Sequence, residues 1–318
     1  MVQRSVDDSA AIRGVATIDD QLYVLQMRPA DQLAEFDAVE LRLRRRLVGV
    51  PAEWRDEWRH FSDMASCRRR RRLYVSHNVT NVVHVCQLAA AATGGGESWS
   101  RWKTDGSPWG LSVTPDAGHL LVTLRYVAAV DEFSPDGRRL RRVDLRRSGA
   151  SSPWHAVSVE PGLLVVGHGD VADDLARVGV VRVVDGAAQR WHGGRPGTSG
   201  SELQSTVLSR PQHVAVDGRR GTVAVVDVFN DRVLVFDDQL RRRVGVVAAP
   251  DADRAAGWLT SRVCWINGRL CVAEVQSPDH HSFTAARLTL YDLHSDLTSE
   301  CFPSGQEGRL DLSAISIC

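Results

Sequence analysis

Lysine is almost missing: Lys103 is the only one in 318 residues, and arginine supplies the rest of the 39 basic side chains. The 39 acidic side chains balance them, so the formal net charge is zero. That balance excludes a surface built as a whole for nucleic acid, and the arginine excess reads as coding bias. No apolar run approaches the roughly 20 residues a spanning helix needs, and no apolar signal segment follows Met1. The expectation is a cytoplasmic protein without a membrane contact. Cys67, Cys86, Cys264, Cys271, Cys301 and Cys318 include no C-x-x-C pair, so zinc-finger spacing is absent. No G-x-S-x-G occurs either, which leaves no nucleophile elbow. Cys264 and Cys271 flank a two-residue turn at Asn267-Gly268. Counted back from that turn they fall on a hydrogen-bonded pair, where α-carbons stand farther apart. They are expected to be buried thiols.

What the chain has in abundance is repetition. Arg210–Val247 reads as four short strands: His213–Asp217, Thr222–Val226, Arg232–Phe236 and Arg243–Val247, with Gly-, Asp- and Asn-bearing turns between them. Five further stretches repeat this plan: 14–50, 61–103, 107–145, 152–191 and 261–293. Pro108-Trp109, Pro153-Trp154 and Pro211-Gln212 open their units at the same place. Units recurring at roughly 45–60 residues fall in the range of propeller blades. The expected fold is all-β, a six-bladed β-propeller of four-stranded antiparallel blades over 14–295. Blade six lacks an outer strand, which either the N-terminal segment 1–13 or the tail 296–318 must supply. The tail, with RLDLSAISI at 309–317, alternates better.

The order P-x-H-V-A-V-D, G-x-V-x-V-x-D, N-D-R-V-x-V-F-D in the fifth unit resembles the NHL repeat, as found in the C-terminal propeller of TRIM-NHL-type proteins. The resemblance runs through almost the whole chain and is strongest in units three to five. It implies a non-catalytic, monomeric binding or scaffold module that presents loops to a protein partner. RING and B-box spacing is absent, so no ligase activity follows. Some NHL propellers bind RNA, and that is the second alternative.

In propellers, function sits on the face made by loops after the second and fourth strands. Here that face would carry Gln26, Arg28, His77, Asn78, Arg125, Tyr126, His168, Asp170, Asp227, Asn230 and Glu274. This ring is mixed in sign and polar, without the basic, aromatic-interleaved character that single-stranded RNA needs. The insertions 171–177 and 276–287, the latter with His280 and His281, are candidate contact loops. Runs at Arg44–Arg46, Arg138–Arg142 and Arg241–Arg243 lead into outermost strands and read as edge protection. Arg68, Arg69, Arg70, Arg71 and Arg72 instead occupy one turn and are candidates for an acidic partner.

His155 and His213 occupy the same position in adjacent units, at the start of the innermost strand. A weaker resemblance to the peptidyl-α-hydroxyglycine amidating lyases implies zinc held by such histidines from three blades. The matching positions are expected at Gly110 in unit three and Val263 in unit six, leaving His168 or His77 as the third ligand. A similar resemblance to gluconolactonases implies calcium at Glu274, Asp227 and Asn78. No catalytic residue is assigned. No cofactor is expected, with zinc or calcium as the alternative of a metal-dependent propeller enzyme.

Overall fold

A computed structural model describes residues 2–8, 11–27, 32–47, 61–89, 96–169, 178–194, 208–248, 253, 255–277 and 285–292. The strands form six four-stranded antiparallel sheets, each a blade of a β-propeller. The first strands, nearest the axis, are Ala11–Ile18, Phe61–Cys67, Pro108–Val113, Pro153–Glu160, Pro211–Asp217 and Trp258–Ile266. The second strands are the most apolar because each is covered on both faces by neighbouring blades. Val223, Ala224, Val225 and Val226 of the fifth blade, for example, are all fully buried.

Burial is therefore organised between blades. One apolar cluster joins Val15 and Leu22 of blade one to Ile266 and Leu288 of blade six. Another joins Val226 and Val235 of blade five to Val263 and Val272 of blade six. Blades one and two approach so closely at Gly14 that a Cβ there would fall 2.5 Å from the Cβ of Met64. Glycine is required at that crossing.

Ring closure uses the N-terminus. Val2–Asp8 pairs antiparallel with Ala285–Tyr291, from Val2↔Leu290 to Asp8↔Ala285, and completes blade six. The better alternation of the tail was a poor guide, and 296–318 lies outside the described residues. Alternation reports a half-buried strand, whereas outermost strands here are exposed: every residue of Leu43–Arg46 faces solvent. The arginine runs lead into such strands, and the first two pair with carboxylates of the neighbouring strand. Arg45 reaches Glu35 at 2.8 Å and Glu97 at 2.6 Å. Arg142 grips Asp131 through Nε at 2.6 Å and Nη2 at 2.7 Å.

Cys264 and Cys271 stand opposite one another across their hairpin. Both are free and buried. The hydrogen bond to Cys271, then burial, pushes the Cys264 thiol well above its ordinary value. Among the described residues, no helix is long and apolar enough to cross a membrane.

Candidate functional site

Each first strand breaks register with its second strand near the axis. The irregularities fall at Ile12/Gly14, Phe61/Asp63, Pro108/Leu111, Pro153/His155, Pro211/His213 and Thr260/Arg262. A bulge of this kind re-aims the side chain that follows it. The residues brought to the axis are thus Asp63, His155, His213 and Arg262, with Gly14 and Gly110 at the matching places in blades one and three. The sequence alignment placed Val263 there for blade six. The register places Arg262 there instead, since it follows the irregularity and pairs with Ala273 as His213 pairs with Val226.

These four side chains form one buried knot. Asp63, only 1% exposed, accepts a hydrogen bond from the Leu111 N–H at 2.9 Å through Oδ2. His155 Nε2 lies 3.1 Å from the same oxygen and 2.9 Å from the Leu111 carbonyl oxygen. Since a carbonyl only accepts, that nitrogen carries the proton. The other oxygen, Oδ1, stands 3.6 Å from His213 Nε2 and 3.5 Å from Arg262 Nε. The two imidazole rings are 4.2 Å apart, tilted by 38°. Arg262 also donates to the carbonyl oxygens of Arg13 at 2.9 Å and Ser62 at 2.6 Å. Gly110 makes room: a Cβ there would fall 2.7 Å from His155 Cα and 2.8 Å from its Cδ2.

The electrostatics follow from this burial. Desolvation disfavours the ionised Asp63, yet the pull of His213 and His155 outweighs it and holds the carboxyl well below the usual range. Burial, then the neighbouring His155, lowers His213 to about 3 against the pull of Asp63. Burial likewise lowers Arg262, with Asp63 opposing. Burial and the charge of Arg262 bring Arg13 down to about 10. A carboxylate and a guanidinium therefore neutralise each other across the ring.

Could this knot hold a metal? One donor atom from each of Asp63, His155 and His213 lies within 4.8 Å of the others, and two imidazoles with a carboxylate are a common donor set. The third group is Asp63, not His168 or His77. Two features oppose a cation: His155 Nε2 is committed to the Leu111 carbonyl, and Arg262 already supplies the positive charge.

The other predicted residues stay within or beside their own blades. Arg287 grips Glu274 at 2.7 and 3.0 Å, and Thr289 donates to it at 3.2 Å. Asp227 accepts from Ser209 N, Arg210 N, Asn230 Nδ2 and Arg232 Nε at 2.6–3.1 Å. Among the described residues, no hydrogen bond or ion pair links Glu274, Asp227 and Asn78 to one another. His77 is fully buried, with Nδ1 2.7 Å from Thr80 Oγ1. His168 is also fully buried, and burial lowers it to about 4. The arginine turn is engaged in packing blades together. Arg68 and Arg71 reach Asp19 at 2.5 and 3.4 Å. Arg69 donates to the Asp116 carbonyl at 2.9 Å, and Arg72 to that of Pro135 at 2.8 Å. Arg28, Asp170, His280 and His281 lie outside the described residues.

Beyond Tyr126, sequence reasoning missed the aromatic content of the loop face. Trp154 is buried with Arg125 stacked 3.4 Å from its centroid and Arg210 at 4.6 Å. Trp109 meets Trp154 edge-on at 5.2 Å and Tyr126 at 6.3 Å. Phe229 lies 5.0 Å from the Arg210 guanidinium. This is a basic, aromatic-interleaved strip across blades three to five, contrary to the polar ring inferred above. The repeated Pro-Trp openings, beside Tyr126, were its signal in the sequence.

Fold and axis together define a six-bladed β-propeller. No protein-family model matches the chain, and no curated protein matches it. Solved propeller structures do. A streptogramin B lyase structure has a TM-score of 0.56 at 10% identity, covering 91% of this chain and 97% of its own. Hydrazine synthase of Kuenenia stuttgartiensis has a TM-score of 0.55 at 13% identity, covering 91% and 97%. Virginiamycin B lyase from Staphylococcus aureus has a TM-score of 0.53 at 11% identity, covering 92% and 88%. At these identities the likeness is one of fold.

Proposed function

We propose that the chain is a binding propeller that engages a protein partner through its loop face. The observation that carries this reading is where the exposed apolar side chains sit. Seven large hydrophobic residues are exposed among those described, and four of them, Val79, Tyr126, Val127 and Phe229, stand on the loops after second strands. Tyr126 is 75% exposed, Val79 60% and Phe229 45%. Behind them lie Trp109, Trp154, Arg125 and Arg210, and Tyr, Trp and Arg are the residue types that dominate binding hot spots. An NHL-like module with this face supports protein binding without requiring chemistry.

The test compares affinity capture by the wild-type chain and a Tyr126→Ser, Phe229→Ser double variant. Proteins held by the first and released by the second support the reading; identical captured sets overturn it. Capture lost on nuclease treatment would instead favour RNA, for which an arginine–aromatic strip is equally suited.

A second reading has its own observation, the Asp63–His155–His213 cluster. Zinc held there would act as a Lewis acid or activate a water, making the chain a metal-dependent enzyme. Elemental analysis of protein purified without chelator or nickel affinity decides it. About one zinc per chain, lost in His213→Ala, would place the metal reading first. The calcium alternative at Glu274, Asp227 and Asn78 is not favoured, because both carboxylates already have partners.

A further inference from the structure

Two loops of the loop face repeat one shape. The single 3-10 turns Arg125–Val127 and Val228–Asn230 each follow a second strand and end on a left-handed residue, Ala128 and Asp231. Each turn presents its middle side chain to solvent, Tyr126 at 75% exposure and Phe229 at 45%. The turns belong to blades three and five, and Trp154 comes from blade four between them. The Trp154 indole is fixed by its Nε1, which donates to the Gly169 carbonyl at 2.8 Å. Arg125 stacks 3.4 Å from the ring centroid, and Arg210 lies 4.6 Å from it. Phe229 in turn stands 5.0 Å from the Arg210 guanidinium. One fixed indole thus holds two guanidiniums between two exposed aromatic side chains.

Stacking on a ring orders a guanidinium but leaves its charge and its in-plane donors intact. Two like charges gathered on one ring favour an anion beside them, and a carboxylate meets such a fork with two parallel hydrogen bonds. Because the cations are already ordered, less side-chain freedom is lost on binding. By composition the strip suits RNA as well, but its geometry favours a peptide. Trp154 is 2% exposed and cannot offer a ring face to a base. The exposed side chains of these loops also include the aliphatic Val79 and Val127, which match apolar side chains.

We propose that the partner engaged by the loop face presents an acidic peptide segment. Its carboxylate docks at Arg125 and Arg210, and apolar side chains on either side pack against Tyr126 and Phe229. This assignment rests on the loop-face reading and names the chemistry of its partner.

The experiment selects a displayed random dodecapeptide library on the immobilised full chain, in parallel with an Arg125→Gln, Arg210→Gln variant. Peptides enriched on the wild type should carry Asp or Glu flanked by apolar residues, and should not enrich on the variant. One enriched peptide, synthesised and titrated by fluorescence anisotropy, should bind about tenfold or more weakly to Arg125→Gln. Its affinity should fall as salt rises. Replacing the peptide's acidic residue by its amide tests the same contact on the unaltered chain and should cost a similar factor. Arg219→Gln, in the first hairpin turn of blade five at the opposite end, should leave affinity unchanged. Enriched peptides without an acidic excess, no enrichment, or equal affinity of acid and amide peptides overturns the proposal. The loop-face reading survives those outcomes if Tyr126→Ser, Phe229→Ser still releases captured proteins, and falls by itself if the captured sets are identical. Binding of a labelled oligouridylate in place of any peptide, lost in the double arginine variant, would give the strip to RNA and overturn the proposal.

Discussion

The knot on the axis and the strip on the loop face are built from the same kinds of residue and have opposite fates. At the axis, Asp63, His155, His213 and Arg262 come from four different blades and are almost completely enclosed. Their donors and acceptors run from blade to blade: Arg262 to Arg13 and Ser62, Asp63 to Leu111, and His155 to Leu111. On the loop face, Arg125 and Arg210 stack on Trp154 while Tyr126 and Phe229 project into solvent. The difference teaches that polarity alone does not mark a binding site in a propeller. Enclosure with matched charge fastens the ring, and exposed apolar surface beside cations is what a partner can use.

This comparison can be broken at its strongest point first. Asp63→Ala leaves Arg262 buried without its counter-charge and should lower stability by about 3–5 kcal/mol, measured by denaturant unfolding. A loss below about 1 kcal/mol would mean that the knot does not fasten the ring.

Acid comes next. Burial lowers His84 to about 3, His168 to about 4 and His213 to about 3, each first through desolvation. Folded, these imidazoles are neutral at pH 5, whereas in the unfolded chain they take up protons near 6.5. The unfolded state therefore binds more protons in that window, so stability falls as pH drops from about 6.5 toward 4. The expected slope is up to about 1.4 kcal/mol per pH unit for each such histidine. A urea midpoint equal at pH 7 and pH 5 would contradict their burial as neutral groups. Binding through Tyr126 and Phe229 has no titrating group in that range and should persist as long as the fold does.

Gly110→Ala forces a Cβ against His155 and the Trp154 carbonyl. About 1–3 kcal/mol should be lost through overpacking, again read from unfolding midpoints. The smallest effect on stability belongs to the Tyr126→Ser, Phe229→Ser variant, whose midpoint should shift by no more than about 0.5 kcal/mol. A large shift there would make the strip part of the scaffold and remove the contrast with the axis.

Much of the fold was legible because blade strands pair with their chain neighbours. The turns at Gly218–Gly221 and Asn267-Gly268 and the aliphatic runs between them report local hairpins, and the structure has those hairpins. The histidine pair was legible for the same reason, since His155 and His213 hold equivalent positions in successive blades. Asp63 was not, because nothing local ties the start of blade two to blades four and five. Arg262 was missed because blade six lacks the proline opening that marks this position in blades three to five, so the match slipped by one residue. Glu274 looked available only because Arg287, its partner across the adjacent strand, belongs to a stretch that reads as a loop insertion.

The sequence by itself determined that the chain is all-β, that its strands come in fours and that there are six such groups. Those features rest on two-residue periodicity and turn chemistry, which act over a few residues. Tertiary structure alone decided that Val2–Asp8 closes the ring, that four blade starts meet as a neutral buried knot, and that two Pro-Trp openings line up with Arg125 and Arg210. Each of those meetings depends on how the blades curve around a common axis and on the register of single bulges. Neither is set by any short stretch of chain, because both follow from packing all six sheets at once.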